Sequence, residues 1–283
     1  MGVIRRFLSN PKTHEKFEKN KNNMNRRRFI ESTALLSMGL GMQSFIEKNK
    51  THILTLSFDD GFKKSFYKIA EIHEAYGLKA CLNVIAMGHE KGYVNDAFIR
   101  KETLGNFDDW NTLKRRGHEV MPHSWDHKNL TEIPLDEAKE NLDTCLDYFE
   151  KNLIGYKPEK AIYNFAYNAS NQELDEYALK RVRAIRTGGW LVFRDTKYHD
   201  IPSPKSNRLR LGCRSYGPDI CDAHIESEIQ DFLSGKGGWL ILNLHGLDQE
   251  GWGPLSTSYL DSLLKRLVKV KNLDILPAGE VLS

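Results

Sequence analysis

Cysteine is scarce in this chain: four residues of 283 (Cys81, Cys145, Cys213 and Cys221), none in a C-x-x-C pair. A cysteine-built zinc site therefore has no support. Cys213 and Cys221 are candidates for a disulfide, which spacing alone does not establish. Cys81 and Cys145 stand among apolar neighbours, where a thiol packs as a small hydrophobe. Long apolar runs are also missing. The longest uncharged early stretch, residues 32–46, falls short of the ~20 residues that span a bilayer, which excludes a polytopic membrane protein. No G-x-G-x-x-G and no G-x-x-x-x-G-K-[ST] opens a helix after a strand, which argues against dinucleotide and P-loop sites. Polar low-complexity tracts are lacking beyond residue 50, and aromatic residues reach 10%, so general disorder is excluded.

Basic charge is lacking where a nucleic-acid surface would need it. The net charge is +3, but residues 1–50 hold eleven Lys or Arg against four Glu, a surplus of seven. The rest of the chain is thus acidic by four, which disfavours a phosphate-backbone partner. The basic segment itself reads as an address. Arg26-Arg27-Arg28-Phe29-Ile30 precedes a short run rich in small and apolar residues, the pattern of an export signal and similar to the twin-arginine type. Asn25 stands where Ser or Thr is usual, and no clean Ala-x-Ala cleavage site follows. The 23 residues before Met24 are long for an n-region, which makes Met24 a candidate start. We expect residues 1–50 to be signal and linker, residues 51–283 to be one catalytic domain, and the mature protein to be exported, periplasmic or envelope-associated, with no integral membrane span.

From residue 52 the pattern alternates between short β-like runs and helical periods. Strands are expected at 52–58, 79–85, 118–122, 160–165, 183–187, 238–245 and 273–276. Helices are expected at 65–76, 108–116, 172–182, 223–233 and 258–270. The clearest helix is opened by Pro134, with Leu135, Ala138, Leu142, Cys145, Leu146 and Phe149 on one face. Residues 188–222, rich in Gly, Pro and Arg, read mostly as loop with short strands. Such alternation over some 230 residues implies a parallel α/β sheet, open or closed into a barrel.

Polar residues gather at the C-terminal ends of the strands. Asp59 and Asp60 follow the first, His123 and His127 the third, Tyr167 the fourth and Arg186 the fifth, and His245 ends the long apolar strand. In a barrel these ends converge on one face. The pair His123 and His127, four apart, suits one cation, though scattered histidines are more often structural. Asp59-Asp60-Gly61 is ordinary turn chemistry by composition, yet two adjacent carboxylates at the mouth of a buried strand need a cation or proton to offset their repulsion.

Ser57-Phe58-Asp59-Asp60-Gly61 resembles the first motif of the polysaccharide deacetylase family with the NodB-homology fold, carbohydrate esterase family 4. His123-Ser124-Trp125-Asp126-His127 resembles its second motif, with Gly117-His118-Glu119 as lead-in, and Leu242-Asn243-Leu244-His245 its last. The resemblance covers 52–282. It implies a distorted (β/α) barrel of about seven parallel strands, and a hydrolase that removes N-acetyl or O-acetyl groups from a glycan. By the same resemblance Asp60, His123 and His127 hold a divalent metal, zinc by preference. Asp59 would take a proton from the attacking water, and His245 would protonate the leaving group.

Two motifs depart from the pattern. The third, commonly Arg-x-Pro-Tyr, reads Asn164-Phe165-Ala166-Tyr167, which keeps Tyr167 and loses the arginine that normally fixes the base. The fourth is missing as such, and its region reads Arg183-Ala-Ile-Arg186-Thr-Gly-Gly-Trp190. We therefore expect Arg186, from the neighbouring strand, to orient Asp59, with Asn164 able to hydrogen-bond it. Tyr167 and Trp190 are the expected substrate-binding residues, Trp190 walling an acetyl pocket. Trp125 and Trp252 suit either sugar stacking or packing. Two alternatives stay open: hydrolysis of a cyclic amide in the same fold, and a non-catalytic glycan-binding module.

Overall fold

The computed structural model describes residues 50–188, 198–201 and 210–283. Eight strands form one sheet: β1 (His52–Phe58), β2 (Cys81–Val84), β3 (Glu119–Pro122), β4 (Ile162–Asn164), β5 (Ala184–Gly188), β6 (Arg210–Ser215), β7 (Gly238–Leu244) and β8 (Leu273–Ile275). The order is β3-β2-β1-β7-β6-β5-β4, every pairing is parallel, and β8 pairs with the start of β1. Between strands run α1 (Lys63–Ala75), α2 (Phe107–Arg115), α3 (Leu135–Asn152), α4 (Gln172–Ala178), α5 (Asp222–Ser234) and α6 (Thr257–Leu267), and α7 (Ala278–Val281) ends the chain. The result is a nearly closed barrel with surrounding helices, as the alternating pattern implied. At the seam, β3 and β4 share no ladder. The Asn164 amide donates instead to the Pro122 carbonyl at 3.1 Å, and His123 Nδ1 meets the Asn164 carbonyl at 3.0 Å.

Strand periodicity explains both the core and the site. Successive side chains alternate between the helices and the barrel interior. Leu54, Leu56, Phe58, Leu82, Val84, Tyr163, Ile185, Leu240 and Leu242 pack outward against the helices. The alternate positions Ile53, Cys81, Ile162, Ala184, Leu211, Trp239 and Ile241 form a second apolar cluster that plugs the barrel. Further along the same inward rows the residues become polar: Ser57 and Asp59, Asn83, Asn164, Arg186 and Asn243, all buried. An apolar plug carrying a polar layer at the strand C-termini is what a site at this face requires.

Strand β1 matches its expected bounds, and no other element end departs from expectation by more than four residues. Strand β6 emerges within the stretch read as mostly loop, because β5 and β7 supply both its neighbours. All four cysteines are free and buried, so Cys213 and Cys221 are not paired. No helix among the described residues is long and apolar enough to cross a membrane. The expected signal segment lies almost wholly, and Trp190 entirely, outside the described residues.

Candidate metal centre and active site

At the end of β1 the backbone leaves the sheet abruptly. Asp60 adopts φ 77° and Gly61 φ 93°. A Cβ on Gly61 would stand 3.2 Å from Trp110 Cζ2, so glycine suits the turn on both counts. Ser124, His127, Tyr167 and Asn168 also have positive φ. Strained non-glycine backbone thus gathers where Asp60 and the second and third motifs meet, as it commonly does at functional sites.

Asp60, His123 and His127 each offer one ligand atom, and these atoms lie within 4.8 Å of one another. Asp60 Oδ1 is 3.3 Å from His123 Nε2 and 3.4 Å from His127 Nε2, and it is buried without a hydrogen-bond partner. Because His123 Nδ1 faces the Asn164 carbonyl, it is the donor in that contact, and Nε2 is the ring atom turned toward Asp60. Burial pushes His127 down, but Asp96 and Asp60 more than offset this and hold it above the ordinary imidazole value. The cluster attracts positive charge. One carboxylate and two imidazoles, with one orphaned oxygen between them, fit a divalent cation of the zinc type. It is the one such cluster among the described residues.

Asp59 is held differently. Arg186 Nη2 donates to its Oδ2 at 2.5 Å and Nη1 to its Oδ1 at 3.0 Å, a bidentate contact. Asn83 donates to Oδ1 at 2.8 Å and Asn243 to Oδ2 at 2.7 Å. Burial alone would raise this carboxyl. The Arg186 charge, followed by His123, the Arg186 hydrogen bonds and His245, holds it well below the usual carboxylate range. Arg186 is itself fully buried and also donates to Ser57 Oγ at 2.9 Å. Asn164 does not reach Asp59, contrary to expectation. Its amide donates to Asn83 Oδ1 at 2.9 Å, so it supports the carboxylate one residue removed.

Asp59, Asp60, His123, His127 and Asn243 line a cavity of about 520 Å³ with Asp96, Phe98, Tyr167, Cys213, His245 and Trp252. His245 packs edge-on to Trp252, with ring centroids 5.6 Å apart, and its Nδ1 is buried without a hydrogen-bond partner. Desolvation holds its pKa below the ordinary value despite the nearby Asp60 and Asp59. Tyr167 is 58% exposed at the rim, its ring 4.7 Å from that of His127. Trp125 packs against Tyr148 at 5.3 Å instead of lining the cavity, which leaves Trp252 as the tryptophan at the site among the described residues. The sequence reading missed Ser57, Asn83, Asn243 and Asp96. For the first three the signal was a lone polar residue on the inward row of a buried strand.

A family model described as polysaccharide deacetylase matches residues 47–182. No curated protein sequence matches the chain. Among solved structures, a protein from Mycobacterium smegmatis assigned to the polysaccharide deacetylases superposes with a TM-score of 0.62 at 12% identity, covering 83% of this chain and 90% of that one. The Bc1960 peptidoglycan N-acetylglucosamine deacetylase gives 0.52 at 15% identity, covering 82% and 88%. A pseudoenzyme of carbohydrate esterase family 4 from Bacillus anthracis gives 0.51 at 16%, covering 83% and 66%. At these identities the likeness is one of fold. The matched segment holds both Asp-Asp-Gly and the paired histidines but ends before Arg186 and His245. Residues 47–182 of the chain thus match the polysaccharide deacetylase family, and its barrel shares the fold of solved structures assigned to that family.

Proposed function

We propose that the protein is a metal-dependent hydrolase that removes acetyl groups from a glycan, at nitrogen or at oxygen. The observation that carries this reading is the buried Asp59 carboxyl, clamped by four hydrogen bonds beside the Asp60–His123–His127 cluster in an open cavity. A sugar-binding module needs no such carboxylate. In this reading Asp60, His123 and His127 hold the cation, zinc by its donor set, which supplies Lewis acidity toward water and an acyl carbonyl. Asp59 takes the proton of the attacking water. Arg186, Asn83 and Asn243 keep its carboxylate ionised and fixed in direction, so that no reorganisation is needed at the moment of reaction. His245 delivers a proton to the departing amine or alcohol, and such general-acid help is worth ~10²–10⁴-fold. Tyr167 and Trp252 border the cavity as surfaces for a sugar ring, and Trp190 remains the proposed acetyl-pocket wall.

The pseudoenzyme among the structural neighbours makes the binding-module alternative concrete. Asp59→Asn separates the two. The hydrolase reading expects acetate release to be lost while glycan binding and metal content persist, whereas unchanged acetate release would refute the assignment of Asp59. We further propose, from the paired arginines and the short apolar run that follows them, that the protein is exported and meets its glycan outside the cytoplasm.

A further inference from the structure

Both imidazoles of the proposed metal cluster have an oxygen behind them, but not the same kind. Behind His123 Nδ1 stands a backbone carbonyl, that of Asn164, at 3.0 Å. Behind His127 Nδ1 stands a carboxylate, Asp96 Oδ2, at 3.6 Å. His127 Nδ1 is buried and has no partner at hydrogen-bond distance. A movement of a few tenths of an ångström would bring Asp96 into range.

Asp96 is built to face that way. Its other oxygen, Oδ1, accepts from the backbone N–H of Phe98 and of Ile99, both at 2.7 Å, and its own N–H donates to the Ile99 carbonyl at 3.0 Å. This turn fixes the carboxylate plane and leaves Oδ2 directed at the imidazole. Ile99 is buried with Phe62, Ile85, Tyr93 and Leu104, which anchors the turn to the body of the protein. Opposite, the Tyr167 ring lies against His127, and Ser124 Oγ accepts from the His127 N–H at 2.9 Å.

We infer that Asp96 is a positioning residue for His127. It accepts the Nδ1 proton, fixes the tautomer that leaves Nε2 free for the cation, and raises the basicity of that ligand. The inference rests on the metal-site reading above and adds to it a residue outside every motif. It also ties metal affinity to the segment whose Phe98 and Ile99 line the cavity.

The test is zinc affinity, measured by competition with a chromogenic chelator on the purified full chain. Asp96→Asn keeps an oxygen for the Phe98 and Ile99 N–H groups but turns an amide toward His127, so it cuts the link and spares the turn. The expected result is zinc binding weakened ~10–100-fold, as for other lost partners of metal-bound histidine. Asn95→Ala is the control. It removes the cap on the Lys101 N–H in the same segment and should leave affinity unchanged. Equal affinity in wild type and Asp96→Asn overturns the inference, and so does an equal loss in Asn95→Ala, which would make the effect one of loop structure. A wild type that binds no zinc refutes the metal reading itself, and the inference falls with it.

Discussion

Replacing Arg186 with Met should cripple the protein's chemistry while leaving its metal site intact. Arg186 provides two of the four hydrogen bonds to Asp59 and the only full charge among those partners. Both side chains are 2% exposed. Removing one member of a buried ion pair costs about 3–5 kcal/mol, a large part of the ~5–15 kcal/mol that holds a typical domain together. The variant should therefore fold with a clearly lowered denaturation midpoint, and Met fills much of the vacated length. The sign of the pH effect follows from the balance at Asp59. In the wild type the depressed carboxyl is ionised throughout the ordinary range, so an acidic limb due to it lies below the usual carboxylate value. Its contribution to stability is present above the unfolded-state value and is lost as pH falls through the folded one. Without Arg186, burial becomes the dominant influence, the carboxyl rises, and the acidic limb of the pH–rate profile moves up. Turnover should fall by up to the ~10²–10⁴-fold typical of a lost general base. Asn164 pairs directly with Arg186 across β4 and β5. Adding Asn164→Arg to Arg186→Met returns a guanidinium from the next strand and should recover part of the lost turnover. Acetate release across pH, with elemental analysis for metal, is the assay. Unchanged turnover with an unchanged acidic limb would show that Asp59 finds its counter-charge elsewhere.

Two further outcomes follow from the assigned groups. The double variant His123→Ala, His127→Ala should lose stoichiometric metal by elemental analysis, because a lone Asp60 carboxylate makes a poor zinc site. Stoichiometric retention would remove the assignment. Arg26→Lys with Arg27→Lys should make precursor accumulate in the cytoplasm of a bacterial host, and an unchanged distribution on fractionation would end the twin-arginine reading.

Much of this architecture was legible because the chain alternates cleanly. Strand β1 falls on the residues expected of it, and α3 follows Pro134 as its apolar spacing implied. The strand-end residues Asp59, Asp60, His123, His127, Arg186 and His245 were gathered by one geometric fact, that parallel barrel strands end on a common face. What stayed hidden depends on register. Asn83 in Cys-Leu-Asn-Val and Asn243 in a run of leucines look like interruptions until the inward rows are known. Only the fold turns them into the amides that hold Asp59. Asn164 was credited with a direct contact because its motif position suggested it. In the structure Arg186 and the two amides already occupy that carboxylate, and Asn164 closes the β3–β4 seam instead. Asp96 sits in a segment without periodicity, and no sequence pattern joins it to a histidine 31 residues on.

The most direct test of the central claim is acetate release from a panel of N-acetylated and O-acetylated oligosaccharides, measured before chelation, after it, and after zinc is restored. The account predicts release from at least one class, its loss on chelation and its return with zinc. Absence of release from every member by the zinc-loaded protein, or release that chelation leaves untouched, would contradict it.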